Sequence, residues 1–269
     1  METRRPLSRM VYADGRFGTD TRVLAAEVAV ALSYNGSTQA VMMATPEALE
    51  DFAVGFSLTE GIARPEEIES IEPVETARGI DLQIWLVEGA AARLARRRRT
   101  MAGPVGCGLC GIDSLEEAVR KPETVAASAF RLTAGQVCTA VAALPARQVL
   151  HDATRAAHAA AFWNPARGIV ALREDVGRHN ALDKLAGALV RQGGGEGAVL
   201  LTSRVSIDLV QKCAALRAPV LIAVSAPTAE AVAMAEAAGI TLIGGARPDR
   251  FELFTHPDRI LARETADVA

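Results

Sequence analysis

What this chain lacks narrows its reading. No apolar run approaches the ~20 residues of a membrane-spanning helix, so no span is expected. Residues 1–15 carry arginines but no apolar stretch, so no secretory leader is expected. Only four cysteines occur in 269 residues. That is no disulfide scaffold, and it fits a reducing compartment. The net charge of −3 pulls toward neither nucleic acid nor a membrane surface. No histidine precedes His151 and no H-x-E occurs. What is abundant is apolar: 50% of residues, enough for a sizeable core without metal or disulfides, in one large domain or two modest ones. The expectation is a cytoplasmic protein whose partners include no nucleic acid and no membrane.

The chain is organised around Gly103-Pro104-Val105-Gly106-Cys107-Gly108-Leu109-Cys110-Gly111. Five of these nine positions are Gly or Pro, which predicts an exposed, mobile loop. An arginine-rich run, Arg93 to Arg99, precedes it, and a helix start follows with Asp113 as cap and Glu116 three residues on. Nearby cations and a helix N-terminus both favour thiolate over thiol. A C-x-x-C fits a zinc half-site, a redox dithiol or a sulfur-relay thiol. Structural zinc takes four ligands, commonly from two such pairs. Here Cys138 and Cys213 stand singly on predicted helices and read as small buried hydrophobes. A zinc deaminase needs H-x-E with P-C-x-x-C, and both are missing, so no metal site is expected. A glycine-flanked loop between domains also preorganises a redox couple poorly. It suits a thiol that collects a group at one place and delivers it at another.

In chain order, residues 27–34 and 39–44 read as a hairpin turning at Asn35-Gly36. Thr45-Pro46-Glu47 opens a helix, with Thr45 as cap, that buries Leu49, Phe52, Ala53 and Phe56 and closes at Gly61. A second hairpin, 68–77 and 80–87, turns at Arg78-Gly79. Nothing in this portion reads as chemical, and its charges read as a solvated face. Residues 90–99 read as a helix. Thr133 to Gln136 is a capping box for a helix reaching about Leu144. Residues 157–163 and 169–173 form another hairpin, and 180–191 a helix with Leu182, Leu185 and Leu189 on one face. Strands at 198–202, 219–224 and 240–243 then alternate with helices at 207–216 and 228–238, which implies parallel pairing with right-handed crossovers. The fold class is α/β: a sandwich with a mixed, largely parallel sheet, preceded by a smaller α+β domain. The divisions are 1–100 for the small domain, 101–124 for the cysteine loop and linking helix, and 125–269 for the α/β domain.

In such sheets ligands bind beyond the carboxyl ends of the strands. Three loops leave those ends: Thr202-Ser203-Arg204, Ser225-Ala226-Pro227-Thr228, and Gly244-Gly245-Ala246-Arg247-Pro248-Asp249-Arg250. Hydroxyls, glycines, arginines and helix N-termini suit phosphate. Arg173 to Asn180 crowds charges of both signs into a strand-to-helix turn. Asp175 or Asn180 could simply cap the helix, or the turn could line the crevice with His179 as proton carrier or hydrogen-bond donor. His158 reads as a core histidine placed opposite the same crevice.

With these residues in view, the chain resembles the formate dehydrogenase accessory sulfurtransferase (FdhD) family along nearly its whole length. The motifs are Ala44 to Glu50, Gly55 to Ile62, Gly106 to Gly111 with Ser114 to Glu116, Arg173 to Leu185, Thr202 to Lys212, Ser225 to Thr228 and Thr241 to Arg250. The resemblance implies a cytidine-deaminase-like larger domain without its zinc, and a homodimer. It implies sulfur received from a cysteine desulfurase as a persulfide on Cys107, with Cys110 as its partner. The cargo is a molybdenum bis(molybdopterin guanine dinucleotide) cofactor, sulfurated before insertion into formate dehydrogenase, and its binding stretch corresponds to Gly245 to Arg250. A molybdenum or tungsten enzyme other than formate dehydrogenase is the alternative client, and a non-covalent cofactor chaperone with an accessory dithiol is the alternative function. The chain departs from the family pattern at Ala156-Ala157 (Gly-Gly), Thr202 (Ser-Gly-Arg in place of Thr202-Ser203-Arg204), Asp208 (Glu) and Gly245 (Phe).

Overall fold

The computed structural model describes residues 1–101, 124–125 and 128–262. The Cys107–Cys110 loop and the helix start at Asp113 and Glu116 lie outside these residues, as do the side chains of Arg97 to Arg99. Among the described residues no helix is long and apolar enough to cross a membrane.

The chain opens with a hairpin absent from the sequence expectations, β1 (Arg4–Ala13) and β2 (Arg16–Ala25). Its turn is Asp14-Gly15, with φ of 51° and 77°, the paired left-handed conformation that a two-residue hairpin turn demands. The two strands are mostly exposed, so no buried alternation marks them.

The small domain follows the expected order: β3 (Val28–Tyr34), β4 (Ser37–Ala44), α1 (Leu49–Thr59), β5 (Ile68–Thr76), β6 (Gly79–Leu86) and α2 (Glu88–Met101). Its sheet runs β4-β3-β6-β5, with the two hairpins joined by parallel β3–β6 pairing. Inward residues of each strand, such as Val30, Leu32, Leu82 and Ile84, meet Phe52 and Phe56 of α1 and Leu94 of α2 in one cluster. The other face of the sheet carries no helix of this cluster.

Two expectations here need correction. Thr45 does not cap α1, because its main chain and hydroxyl bond to residues of the larger domain. The cap position passes to Ala48, at φ 51° and without a side-chain bond. The charges of α1 are not all solvated either, since Asp51 is buried. That helix is covered on both sides, by its own sheet and by a helix of the larger domain.

The larger domain contains β7 (Leu132–Thr133), α3 (Ala134–Ala142), α4 (Val149–Thr154), β8 (His158–Asn164), β9 (Gly168–Asp175), α5 (Arg178–Arg191), β10 (Ala198–Leu201), α6 (Ile207–Ala215), β11 (Val220–Ala223), α7 (Ala229–Ala238), β12 (Thr241–Gly244), β13 (Glu252–Leu253) and β14 (Ile260–Leu261). The capping box opens α3 as expected, with Gln136 and Thr133 bonded reciprocally. The main sheet has the order β13-β12-β11-β10-β8-β9. Its centre, β10 to β12, is parallel, and antiparallel strands flank it on both sides. Alternate residues serve two cores. Val199, Leu201, Leu221 and Leu242 pack with α5, α6 and α7, while Leu200, Val220, Ile222 and Ile243 pack with α3. Burial on both faces explains why these strands read as unbroken apolar runs. Cys213 lies fully buried in the first core, as expected, but Cys138 is only half-buried on α3.

Candidate functional site

The carboxyl ends of β10, β11 and β12 lie in register, Leu201 beside Ala223 and Ile222 beside Ile243. The three loops that leave them are tied together by their backbones. Val205 N donates to Ala226 O at 3.3 Å and Thr228 N to Val205 O at 3.0 Å. Gly245 N donates to Ser225 O at 3.1 Å and Ala246 N to Ala223 O at 3.0 Å. The expected juxtaposition of Thr202 to Arg204, Ser225 to Thr228 and Gly244 to Arg250 is therefore present. Antiparallel β8 brings His158 to the same edge, because Ala159 N bonds Thr202 Oγ1 at 2.9 Å.

Within the loops the predicted residues separate by role. Arg204, Arg247, Pro248, Asp249 and Arg250 are exposed, and Thr202, Ser225 and Gly245 partly so. Ser203 and Ala246 are buried: Ser203 bonds the Arg204 carbonyl at 3.0 Å, and Ala246 belongs to the core on the α3 side. Arg247 turns back to hold the Val224 carbonyl at 2.6 Å and closes the turn through its own amide on Arg250 O at 2.7 Å. Arg204 and Arg250 are left as exposed cations on these loops, and Arg204 lies just ahead of the N-terminus of α6, where backbone N–H groups favour an anion. No side chain fits at Gly244, since a Cβ there would stand 2.7 Å from Pro227 and 2.9 Å from the Phe254 ring. An aromatic thus stands beside this loop from β13's end, although the Phe expected from the family at position 245 is missing.

His179, second residue of α5, faces Asp208 of α6 at 3.5 Å. The facing His179 imidazole holds the Asp208 carboxyl below the usual carboxylate range, against the opposing effect of burial. His158 is pulled below the usual histidine value by burial, then by the Arg178 cation and the neighbouring His151 and His179. The edge therefore combines outward arginines with a histidine that favours its neutral form.

Beneath this edge lies a buried ionic frame that the sequence reading missed. Lys184 Nζ is fully buried, 2.6 Å from Asp175 Oδ2 and 2.7 Å from the Thr45 carbonyl. Asp175 also accepts from Thr45 N at 3.0 Å, Gly177 N at 2.7 Å and Asn180 Nδ2 at 3.0 Å. Asp175 and Asn180 are thus a joint between domains, and Gly177 occupies the cap position of α5. Burial, the largest influence, pulls Lys184 below the ordinary lysine value against the attraction of Asp175. A second buried lysine, Lys212, contacts Asp183, Glu60 and Thr59. Burial opposes its charge, but Asp183 and Glu60 outweigh it and raise its pKa. Asp51 accepts from Arg173 and Arg191 across the same interface.

The frame is possible because α1 and α5 touch backbone to backbone. A Cβ on Gly55 would lie 1.7 Å from Asp183 O, and one on Gly187 would lie 1.9 Å from Asp51 O. The signal in the sequence was the placing of Asp183-Lys184 between Leu182 and Leu185, and of Asp51 beside Phe52, charges inside apolar stripes.

Comparison with known proteins bears on this arrangement. Residues 25–261 match the model of the FdhD/NarQ family. The sulfur carrier protein FdhD of Agrobacterium fabrum is 52% identical over 260 residues, covering 96% of each chain. The protein of that name from Brucella abortus is 50% identical over 260 residues, 96% of this chain and 97% of the relative. That from Cupriavidus necator is 52% identical over 241 residues, 88% and 83% of the two chains. The crystal structure of a protein assigned as a formate dehydrogenase accessory protein from Desulfotalea psychrophila superposes with a TM-score of 0.75. It covers 97% of this chain and 100% of its own at 24% identity, a likeness of fold.

Proposed function

The chain belongs to the FdhD/NarQ family, and on that premise we propose that it carries sulfur for the maturation of formate dehydrogenase. The observation that carries this reading is the identity of about half the residues with named sulfur carriers along nearly the whole chain. The donor is a cysteine desulfurase and the acceptor is the molybdenum of a bis(molybdopterin guanine dinucleotide) cofactor, bound as cargo, in the cytoplasm.

In the first step the Cys107 thiolate attacks the outer sulfur of the donor's persulfide. The donor's S–S bond breaks, its cysteine leaves as thiolate, and Cys107 becomes the persulfide with no net oxidation. In the second, the Cys110 thiolate attacks the inner sulfur at Cys107, and the outer sulfur leaves as hydrosulfide toward the metal. Two thiols are oxidised to a disulfide as the transferred sulfur is reduced to sulfide, and a cellular thiol reductant restores the pair. The nucleotide ends of the cargo go to the strand-end loops, where Arg204 and Arg250 meet phosphate and Gly244-Gly245 lets the backbone approach it. That three such loops are laced together at one edge supports this part of the reading.

The test is intact-protein mass after incubation with a cysteine desulfurase and cysteine. One reductant-labile added sulfur, absent in Cys107→Ala, is expected. A Cys107→Ala protein that takes up no sulfur yet fully restores formate dehydrogenase activity would leave cofactor binding as the function and refute sulfur carriage.

A further inference from the structure

The edge formed by the strand-end loops is rich in cations and backbone donors, yet one carboxylate stands in it. Glu252 opens β13, the outermost strand on that side of the sheet. It is exposed, and among the described residues its carboxylate takes no hydrogen bond and no ion pair, although Arg250 is two residues away. A free carboxylate repels phosphate, so Glu252 does not serve the phosphate end of a ligand.

The strand register aims it. Glu252 pairs with Gly244 of antiparallel β12, and directly paired residues present their side chains on one face. Leu242, two residues before Gly244, packs in the core shared with α7, so this is the α7 face of the sheet. Phe254, two residues past Glu252, lies on the same face: its ring is 2.9 Å from where a Gly244 Cβ would stand, and Pro227, just ahead of α7, is 2.7 Å from that point. The Phe254 ring is 41% exposed. Position 245 is bare as well. At φ 57° it holds glycine, and a Cβ there would stand 3.4 Å from the Glu252 carboxyl carbon and 3.6 Å from both its oxygens. The phenylalanine of the family pattern would cover this carboxylate, and the glycine of this chain uncovers it.

These features fit a planar base. An aromatic ring with an open face stacks on any base. A carboxylate accepts two parallel N–H bonds and donates none. Among the common bases guanine alone presents two adjacent N–H donors on one edge, at N1 and the 2-amino group. Adenine presents an acceptor, its own N1, at the corresponding place. Two residues along a strand advance about 7 Å, so a base stacked on Phe254 brings its edge within reach of Glu252. We propose that Phe254 and Glu252 form the base-reading half of the strand-end site: Phe254 stacks the base, and Glu252 accepts from N1–H and the 2-amino group and so selects guanine. The proposal rests on the placing of a nucleotide at these loops, and not on the sulfur chemistry.

The test is calorimetric titration of full-length wild type, Glu252→Ala, Phe254→Leu and Arg250→Ala with the diphosphates of guanosine, inosine and adenosine. Inosine differs from guanosine only in lacking the 2-amino group. Wild type is expected to bind guanosine diphosphate roughly tenfold more tightly than inosine diphosphate and at least about 100-fold more tightly than adenosine diphosphate. Glu252→Ala is expected to bring the three within about threefold of one another while leaving adenosine diphosphate no weaker. Phe254→Leu is expected to weaken all three about tenfold and to keep their ranking. The wild-type ranking in Glu252→Ala, or wild-type affinities in Phe254→Leu, would overturn the proposal. If Arg250→Ala still loses guanosine diphosphate in that event, the nucleotide site stands and only its base-reading half falls. A wild type that binds none of the three would overturn the site and the proposal together.

Discussion

Replacing Lys184 by Met tests whether the two domains are held by the buried ionic frame. Methionine keeps the length of the lysine stem and fills its place against the Phe52 ring, 5.6 Å from the present ammonium. What disappears is the cation beside Asp175 and the donor to the Thr45 carbonyl. Both partners are fully buried, so water cannot replace either contact. Removing one member of such a pair costs roughly 3–5 kcal/mol, mostly for the charge left behind. The lower end applies, because Thr45, Gly177 and Asn180 still donate to the stranded carboxylate. Pairing Lys184→Met with Asp175→Asn removes the stranded charge, so the double variant is expected to lose less than the sum of the singles, by roughly 1–3 kcal/mol. Urea unfolding of wild type, both singles and the double, followed by circular dichroism and by tryptophan fluorescence, measures this. A Lys184→Met protein within about 1 kcal/mol of wild type, or strictly additive singles, would refute the reasoning, since an isolated buried carboxylate cannot be that cheap.

Gly187→Ala places a methyl 1.9 Å from the Asp51 carbonyl, where only backbone can yield, and should destabilise by about 1–3 kcal/mol or more in the same unfolding assay. Cys213, pushed up to about 12 by burial, should take no label from iodoacetamide in the native protein and label fully in denaturant, read by peptide mass mapping. Because the folded-state pKa of His158 lies below its ordinary 6.5, the unfolded chain binds the extra proton between those two values, so stability falls as pH drops below 6.5. His158→Gln should flatten that part of the stability–pH curve, and an unchanged curve would remove His158 as its source. Arg250→Ala should weaken guanosine diphosphate binding by roughly tenfold to a hundredfold in calorimetric titration, whereas Cys107→Ala should leave it intact.

Sequence by itself determined the elements whose causes are local. Asn35-Gly36 turned β3 into β4, Thr133 and Gln136 capped α3 reciprocally, and the apolar runs at β10, β11 and β12 announced strands buried on both faces. The strand-end loops followed from that alternation, because the carboxyl edge of parallel strands is fixed once their order is known. The family motifs were legible for the same reason, being contiguous. The Asp14-Gly15 hairpin escaped the sequence reading, because its strands bury too little of themselves to show a period.

Only the tertiary structure decided the roles of Thr45, Asp51, Asp175, Lys184 and Lys212. A charge set inside an apolar stripe hints at burial, but each of these residues finds its partner more than a hundred residues away: Thr45 at Asp175, Asp51 at Arg173, Lys184 at Thr45 and Lys212 at Thr59. A charge is tolerated in a core only when an opposite charge arrives from elsewhere, and no local pattern records that arrival. Gly55 and Gly187 set where it happens, since only two helices without side chains at the crossing can approach closely enough to bury the frame.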